Sequence, residues 1–448
     1  MKNFFKNYIA ALYFTTRFFM AGAVVVSLMV IRFFASWLSI IPFIALLLFA
    51  GIFIVEYILL FRKRNAVYAQ RAHAERFSNG DENEVKLFIE NKYPFPVYAD
   101  IIDEIPIQFQ NRNVHFYTRI HAGKTSAIDY TLRPVKRGSY DFGKINIYIS
   151  AFARFIERRF SLDRANSVAV YPSYLQMRKY QLMAINNRLS EAGLKKQRRL
   201  GHSMEFEHIK EYVTGDDYRT VNWKATARRG SLMVNNYVEE KSQPVYCVID
   251  KGRLMEMPFD GLSLLDYSIN ASLVLSSIAV QKEDKAGIIT FSDRMGTLLP
   301  ADKRAYQMQK IQEVLYRQKT RYLESDFEKL YITIRNKISQ RSLIVLFTNF
   351  ASLNGMQRQK AYIKKIAERH LLVVVFFQNT EMKKALEKEA ANLKDIYIQT
   401  IVEQFEFEKK LIVQELKQEG IFTILTPPQN LTVQVLNKYL EIKARQLL

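Results

Sequence analysis

Between residues 18 and 61 the chain is apolar almost without a break, and only Arg32 and Glu56 carry charge. Those 44 residues would extend about 66 Å as helix, twice the ~30 Å of bilayer hydrocarbon. One span cannot use that length; two can. The pattern predicts spans at 18–35 and 40–61, joined by the outer turn Ser36-Trp37-Leu38-Ser39, where Trp37 suits the interface. Arg32 is close enough to the turn to snorkel, and it falls near the face opposite Glu56, which argues against an intramembrane pair. A cleaved signal peptide is the competing reading. It fits poorly, because no small-residue cleavage site precedes a polar start and a second span follows at once.

After residue 64 the pattern changes. Residues 65–80 are polar and read as a linker. Then the period becomes two: Val85, Leu87 and Ile89 alternate with charged residues, as do Ile128, Tyr130 and Leu132, and Ile145, Ile147 and Ile149. Turn residues such as Arg137-Gly138-Ser139 separate these runs. Short alternating strands predict a small antiparallel, β-sandwich-like domain within 65–172. Within it, His121-Ala122-Gly123-Lys124-Thr125 superficially resembles a phosphate loop, but Thr118 stands where the first Gly is needed and no helix follows.

From residue 241 onward the period alternates again, between continuous apolar runs and helical patterns. Strands are predicted at 245–249, 286–291, 343–347, 371–377 and 421–425. Helices are predicted from Leu265-Ile269-Leu273 spacing, then near 302–317, 325–339, 356–369, 381–394, 402–417 and 431–446. This is the pattern of an α/β domain with a mostly parallel sheet covered on both faces, over 241–448. Cys247, inside the first strand, reads as a small core residue. Ligands of such sheets bind beyond the carboxyl ends of strands, so Asp250, Lys251 and Arg253, Ser292-Asp293 and Thr348-Asn349 are the expected working rim.

Charge and composition then narrow the picture. The 448 residues imply two or three domains, and 65 Lys plus Arg against 44 Asp plus Glu leave +21. Such an excess points to a polyanion or an anionic membrane surface. Basic residues flank the two apolar runs on one side only (Lys2, Lys6 and Arg17; Arg62, Lys63 and Arg64). The positive-inside rule therefore puts both termini and the soluble domains in the cytoplasm, on a multi-pass protein of the cytoplasmic membrane. Membrane lipids alone can account for much of the charge, at about 1 kcal/mol for each basic residue near an anionic leaflet. A single Cys excludes a disulfide framework and a Cys-based metal centre. There is no HExxH, GxSxG or intact Walker motif, the six His are scattered, and no nucleic-acid motif is present. The expectation is a non-enzyme without a cofactor, and nucleic acid is not an expected partner.

The segment 173–240 links the two soluble domains and carries Glu205-Phe206-Glu207-His208, Tyr212, and then Gly215-Asp216-Asp217-Tyr218-Arg219-Thr220-Val221-Asn222-Trp223-Lys224-Ala225-Thr226-Ala227-Arg228-Arg229-Gly230. Asp216 or Asp217 can cap a short helix and Gly230 can end it. Arg228 and Arg229 suit its C-terminal end. Two readings compete: a polyanion-binding face, or an intramolecular clamp with Trp223 buried and the cations paired, for example to Glu239-Glu240. The residue pattern favours the clamp.

This stretch closely resembles the GDDxR…NWKxTARRG signature of the domain-of-unknown-function 58 family of bacterial membrane-anchored proteins. The resemblance extends to the order of parts: transmembrane hairpin, β-rich region, signature, and a C-terminal von Willebrand factor A-like, Rossmann-type domain. It implies a scaffold that binds client proteins and a MoxR-type AAA+ ATPase, whose genes commonly neighbour those of the family. It establishes no reaction. A-type domains often hold a divalent cation through Asp-x-Ser-x-Ser plus a later Thr and Asp. Here Asp250 remains, but Gly252 and Leu254 replace the two Ser, Ser325 is the candidate for the Thr position, and Asn349 replaces the Asp. A metal is therefore not expected, and Lys251 or Arg253 is the expected partner of Asp250.

Overall fold

The computed structural model describes residues 10–34, 40–110, 114–162, 166–185, 204–239, 242–378 and 393–447. The chain divides into two compact units, Met1–Tyr171 and Pro172–Leu448.

In the first unit, strand β1 (Leu12–Phe14) leads into helices α1 (Thr16–Phe34) and α2 (Ile41–Phe61), both long and apolar enough to cross a membrane. The predicted turn 36–39, with Trp37, lies outside the described residues. Strands β2 (Val67–His73), β3 (Arg76–Ser78), β4 (Asn83–Asn91), β5 (Val97–Asp103), β6 (His115–Ile120), β7 (Thr125–Leu132), β8 (Gly138–Phe142), β9 (Ile145–Ser150), β10 (Ile156–Leu162) and β11 (Asn166–Tyr171) follow. They form sheets of order β1-β10-β9-β5-β6, β2-β4-β7 and β3-β11-β8. The inward rows of the first two, including Ala69, Leu87, Ile89, Ala99, Ile101, Ile147 and Ile149, share one core with Leu60 and Phe61 at the end of α2.

Two expectations need correction here. Residues 65–80 are not a linker: β2 and β3 occupy them, and β2 alternates buried with exposed positions. The alternation was hidden because one inward position is Arg71, buried against Asp103, and another is small. Nor are the sheets wholly antiparallel, since β11 runs parallel to β3. The His121–Lys124 stretch is a tight turn between β6 and β7, closed by Lys124 N–H donating to the His121 carbonyl at 3.2 Å.

The second unit begins with helix α3 (Tyr174–Ile185). An antiparallel ribbon of β12 (Met204–Glu211) and β13 (Met233–Glu239) then brackets helix α4 (Trp223–Arg229). Beyond it come β14 (Pro244–Asp250), the two-residue strands β15 (Pro258–Phe259) and β16 (Leu262–Ser263), α5 (Leu264–Gln281), β17 (Lys285–Phe291), β18 (Met295–Asp302), α6 (Tyr306–Tyr316), α7 (Phe327–Lys337), β19 (Leu343–Phe347), α8 (Leu353–Ala367), β20 (Leu371–Phe377), α9 (Leu393–Gln418), β21 (Phe422–Thr426) and α10 (Leu431–Ala444). The sheet order is β18-β17-β14-β19-β20-β21, parallel except at β18. Its two faces feed separate cores: Val245, Cys247 and Ile249 of β14 enter one, Tyr246 and Val248 the other. Burial pushes the Cys247 thiol up to about 12, which leaves it protonated and inert as a nucleophile. Strand β18 carries Gly296 and Pro300, which an edge strand tolerates and which conceal it in the pattern. The helix predicted at 381–394 lies almost wholly outside the described residues.

Candidate functional site

The signature forms a compact loop held by its own polar residues. Asp216 accepts from Lys210 Nζ at 2.8 Å and from Val213 N–H at 3.0 Å. Asp217 caps a single 3₁₀ turn over Tyr218–Thr220, accepting from Arg219 N–H at 3.0 Å. The cap of α4 is neither aspartate but Asn222, whose Oδ1 accepts from Ala225 N–H at 3.0 Å. Gly215 (φ 113°) and Gly230 (φ 73°) take left-handed backbone that other residues resist, and Gly230 ends α4. Asn222 N–H donates to the Met233 carbonyl at 2.8 Å, and Met233 N–H donates to Thr226 Oγ1 at 3.0 Å. These bonds fix α4 onto β13.

What this frame presents is the opposite of a clamp. Trp223 is 73% exposed and Tyr218 72% exposed. Arg219, Lys224, Arg228 and Arg229 are all exposed and, among the described residues, form no ion pair. The side chains of Glu239 and Glu240, the expected partners, lie outside what is described. The backbone hydrogen bonds and caps hold the loop, so the aromatic and cationic side chains are left facing outward.

At the sheet's carboxyl edge, three loops bring oxygen groups together. Asp250 is buried at the end of β14. Its Oδ1 accepts from Gly252 N–H at 2.7 Å and from the Ser325 hydroxyl. Its Oδ2 accepts from Thr348 Oγ1 at 2.7 Å. Burial raises the Asp250 carboxyl above the ordinary range, and these donors pull it back down. A Cβ at position 252 would overlap the Ser325 hydroxyl, so Gly252 is required by the close approach of that loop.

Neither expected cation neutralises Asp250. Arg253 pairs weakly with Glu324 at 3.5 Å on the surface. Lys251 is lowered by burial and by the nearby Arg321 guanidinium, which itself pairs with Asp293 at 3.3 Å. Asn349 does not join the cluster either. Its Oδ1 accepts from Lys409 Nζ of α9 at 2.7 Å, while Lys409 also donates to the Phe350 carbonyl. Burial depresses Lys409 to about 8. Leu254, Asn349 and Lys409 help line a mostly apolar cavity of about 230 Å³ with Phe350, Phe377 and Val402. Lys409 could not be found from sequence: it lies 60 residues beyond Asn349 in a lysine-rich helix. Among the described residues no cluster of three or more His, Cys, Asp or Glu could hold a metal.

A membrane-associated chain with an exposed signature loop and an α/β carboxyl-edge cluster is thus the class that the geometry defines. Residues 208–408 match the family model described as "Protein of unknown function DUF58". "Uncharacterized protein YeaD" of Bacillus subtilis (strain 168) is 26% identical over 226 residues, which are 49% of this chain and 54% of the relative. The chain therefore spans about half the length of the curated relative it matches. Among solved structures, the conserved hypothetical protein BatB from Bacteroides thetaiotaomicron aligns at 11% identity and TM-score 0.29, over 45% of this chain and 98% of BatB. Proximal thread matrix protein 1 from the mussel byssus aligns at 10% identity and TM-score 0.25, over 44% of this chain and 46% of its own. Likenesses at these scores carry nothing about function.

Proposed function

We propose that the chain is a membrane-anchored, non-enzymatic scaffold whose C-terminal region recruits protein partners at the cytoplasmic face of the inner membrane. The single observation that carries this reading is the exposed pair Tyr218 and Trp223 beside four exposed cations that form no ion pair among the described residues, on a loop held by its own hydrogen bonds. Exposed aromatic and Arg side chains are what protein interfaces use as anchors. A partner surface bearing carboxylates fits this face.

The α/β region is read as a von Willebrand factor A-like domain and the middle region as a sandwich. Asp250 with hydroxyls from two later loops supports the first reading, because the loops converge where an A-type metal site would lie. Here Ser325 and Thr348 donate to the carboxylate, so the site is closed on itself. A MoxR-type AAA+ ATPase is the proposed partner, on the family resemblance. Purified MoxR-type ATPase should bind the full chain, and Trp223→Ala with Arg228→Glu should abolish binding while the fold is kept. Undiminished binding by that variant would refute the assignment of the face. The alternative is polyanion binding by the same cations. Nucleic acid that co-purifies with the chain from membranes and is lost in the variant would favour it.

A further inference from the structure

The first unit carries a second cationic cluster, at the foot of the two apolar helices. Two arginines from separate elements meet at Tyr98, Arg119 on β6 and Arg154 in the turn between β9 and β10, and the charge of Arg17, in the first turn of α1, also reaches the Tyr98 hydroxyl. The Arg154 guanidinium lies 3.3 Å from the centre of the Tyr98 ring and 5.5 Å from that of Tyr117, and Arg119 lies 5.4 Å from Tyr98. The hydrogen bond from Arg154, and the charges of all three arginines, hold the Tyr98 hydroxyl below its ordinary value. Among the described residues none of the three forms an ion pair. The acids of the same sheet face are placed elsewhere. Asp100 is taken by His115, and Glu157 stands two strands from Tyr98, with Ser150 between them in register.

The backbone there is unusual. Arg154 sits at φ 56°, a left-handed conformation in a residue other than Gly, Asn or Asp. It is pinned on both sides by the membrane segment: Glu56 accepts its N–H at 2.8 Å, and Thr15 Oγ1 donates to its carbonyl at 2.5 Å. Strain maintained in this way needs a reason. Beside it Phe152 is 61% exposed, while Phe155 packs against Phe49 of α2.

Position supplies the ligand. The 19 residues of α1 span about 28 Å, close to one ~30 Å hydrocarbon thickness. Its Thr16 end therefore lies at the leaflet surface, and Arg17, Arg154 and Phe152 lie there with it.

We propose that Arg17, Arg119 and Arg154 form a binding site for the phosphate headgroup of an anionic phospholipid, with Phe152 inserted as an interfacial wedge beside it. Guanidinium forks match phosphate oxygens, and an aromatic ring is stable at the headgroup level. The inference rests on α1 and α2 entering the bilayer.

The full-length chain in detergent would be titrated with phosphatidylglycerol or phosphatidylcholine, and bound lipid counted by native mass spectrometry. Saturable preference for phosphatidylglycerol is expected, weakened about fivefold by Arg119→Gln and about a hundredfold by Arg17→Gln, Arg119→Gln and Arg154→Gly together. Glycine keeps the left-handed turn at 154, so an unchanged melting temperature is expected alongside the loss. No preference, or an undiminished preference in the triple variant, overturns the proposal. Displacement of the lipid by millimolar inorganic phosphate would assign the site to a soluble phosphate instead and overturn it. In vesicles, Phe152→Trp fluorescence should be quenched by brominated phosphatidylglycerol. Unquenched protein that resists carbonate extraction overturns the wedge, whereas protein released by carbonate overturns the membrane reading beneath it.

Discussion

Glu56 Oε1 accepts the backbone N–H of Arg154 at 2.8 Å, joining a candidate membrane helix to a β-turn 98 residues later. Its other oxygen accepts from Phe155 N–H at 2.9 Å. At the end of the same helix, Tyr93 donates to the Leu60 carbonyl at 2.6 Å and Arg158 to the Lys63 carbonyl at 2.7 Å. The Leu60 carbonyl at the end of α2 and the Lys63 carbonyl just beyond it are thus satisfied by the β-domain, and a buried cation, Arg158, lies at the negative end of the helix dipole. On the other flank, β1 pairs with β10. Both feet of the helical pair are built into one sheet.

Glu56→Ala should therefore destabilise the first unit, by about 1–3 kcal/mol for each buried amide left without an acceptor. Thermal unfolding of the full chain in detergent checks this. An unchanged midpoint would show that the carboxylate bonds contribute nothing.

If the two helices form a hairpin with both feet in the cytoplasm, Ser39→Cys should react with an impermeant thiol reagent from the outer side only. Labelling confined to the cytoplasmic side would sink the hairpin.

Trp223→Ala should leave stability within about 0.5 kcal/mol, as for other exposed positions. A buried anchor would have cost ~3–5 kcal/mol, so a denaturation curve separates the two cleanly. Partner binding is where the loss should appear.

Gly252→Ala should displace the Ser325 hydroxyl from Asp250 and cost about 1–3 kcal/mol, read as a lower denaturation midpoint. Since Ser325 and Thr348 donate to Asp250, millimolar Mg²⁺ should not raise the melting temperature. A site at 100 times its dissociation constant would add about 2.7 kcal/mol. A saturable rise that vanishes in Asp250→Ala would restore a metal-dependent role.

Lys409 gives a pH dependence of definite sign. Burial lowers it to about 8 from 10.5, so between those values the unfolded chain binds the extra proton and the native state does not. This group's contribution to stability should rise with pH across that window. Comparing wild type with Lys409→Met between pH 7 and 11 isolates it. A wild-type slope no steeper than the variant's would mean that the carbonyls of Asn349 and Phe350 hold the ammonium charged.

Local periodicity alone determined the two apolar helices, most strands of the α/β region to within a residue or two, and the signature as a capped turn-and-helix. Those features depend on side chains within a turn or a strand of one another. It mistook 65–80 for a linker because the inward Arg71 has its charge satisfied by Asp103, 32 residues away. It expected Trp223 in a core because large aromatics usually are buried, and no local rule says which face of a seven-residue helix meets the rest of the protein. The partners of Asp250, the tethering of Asn349 by Lys409 and the arginines around Tyr98 were decided only by the tertiary structure. Each depends on loops or strands that are distant in the chain and adjacent in a sheet, and strand order is set by packing that no local pattern encodes.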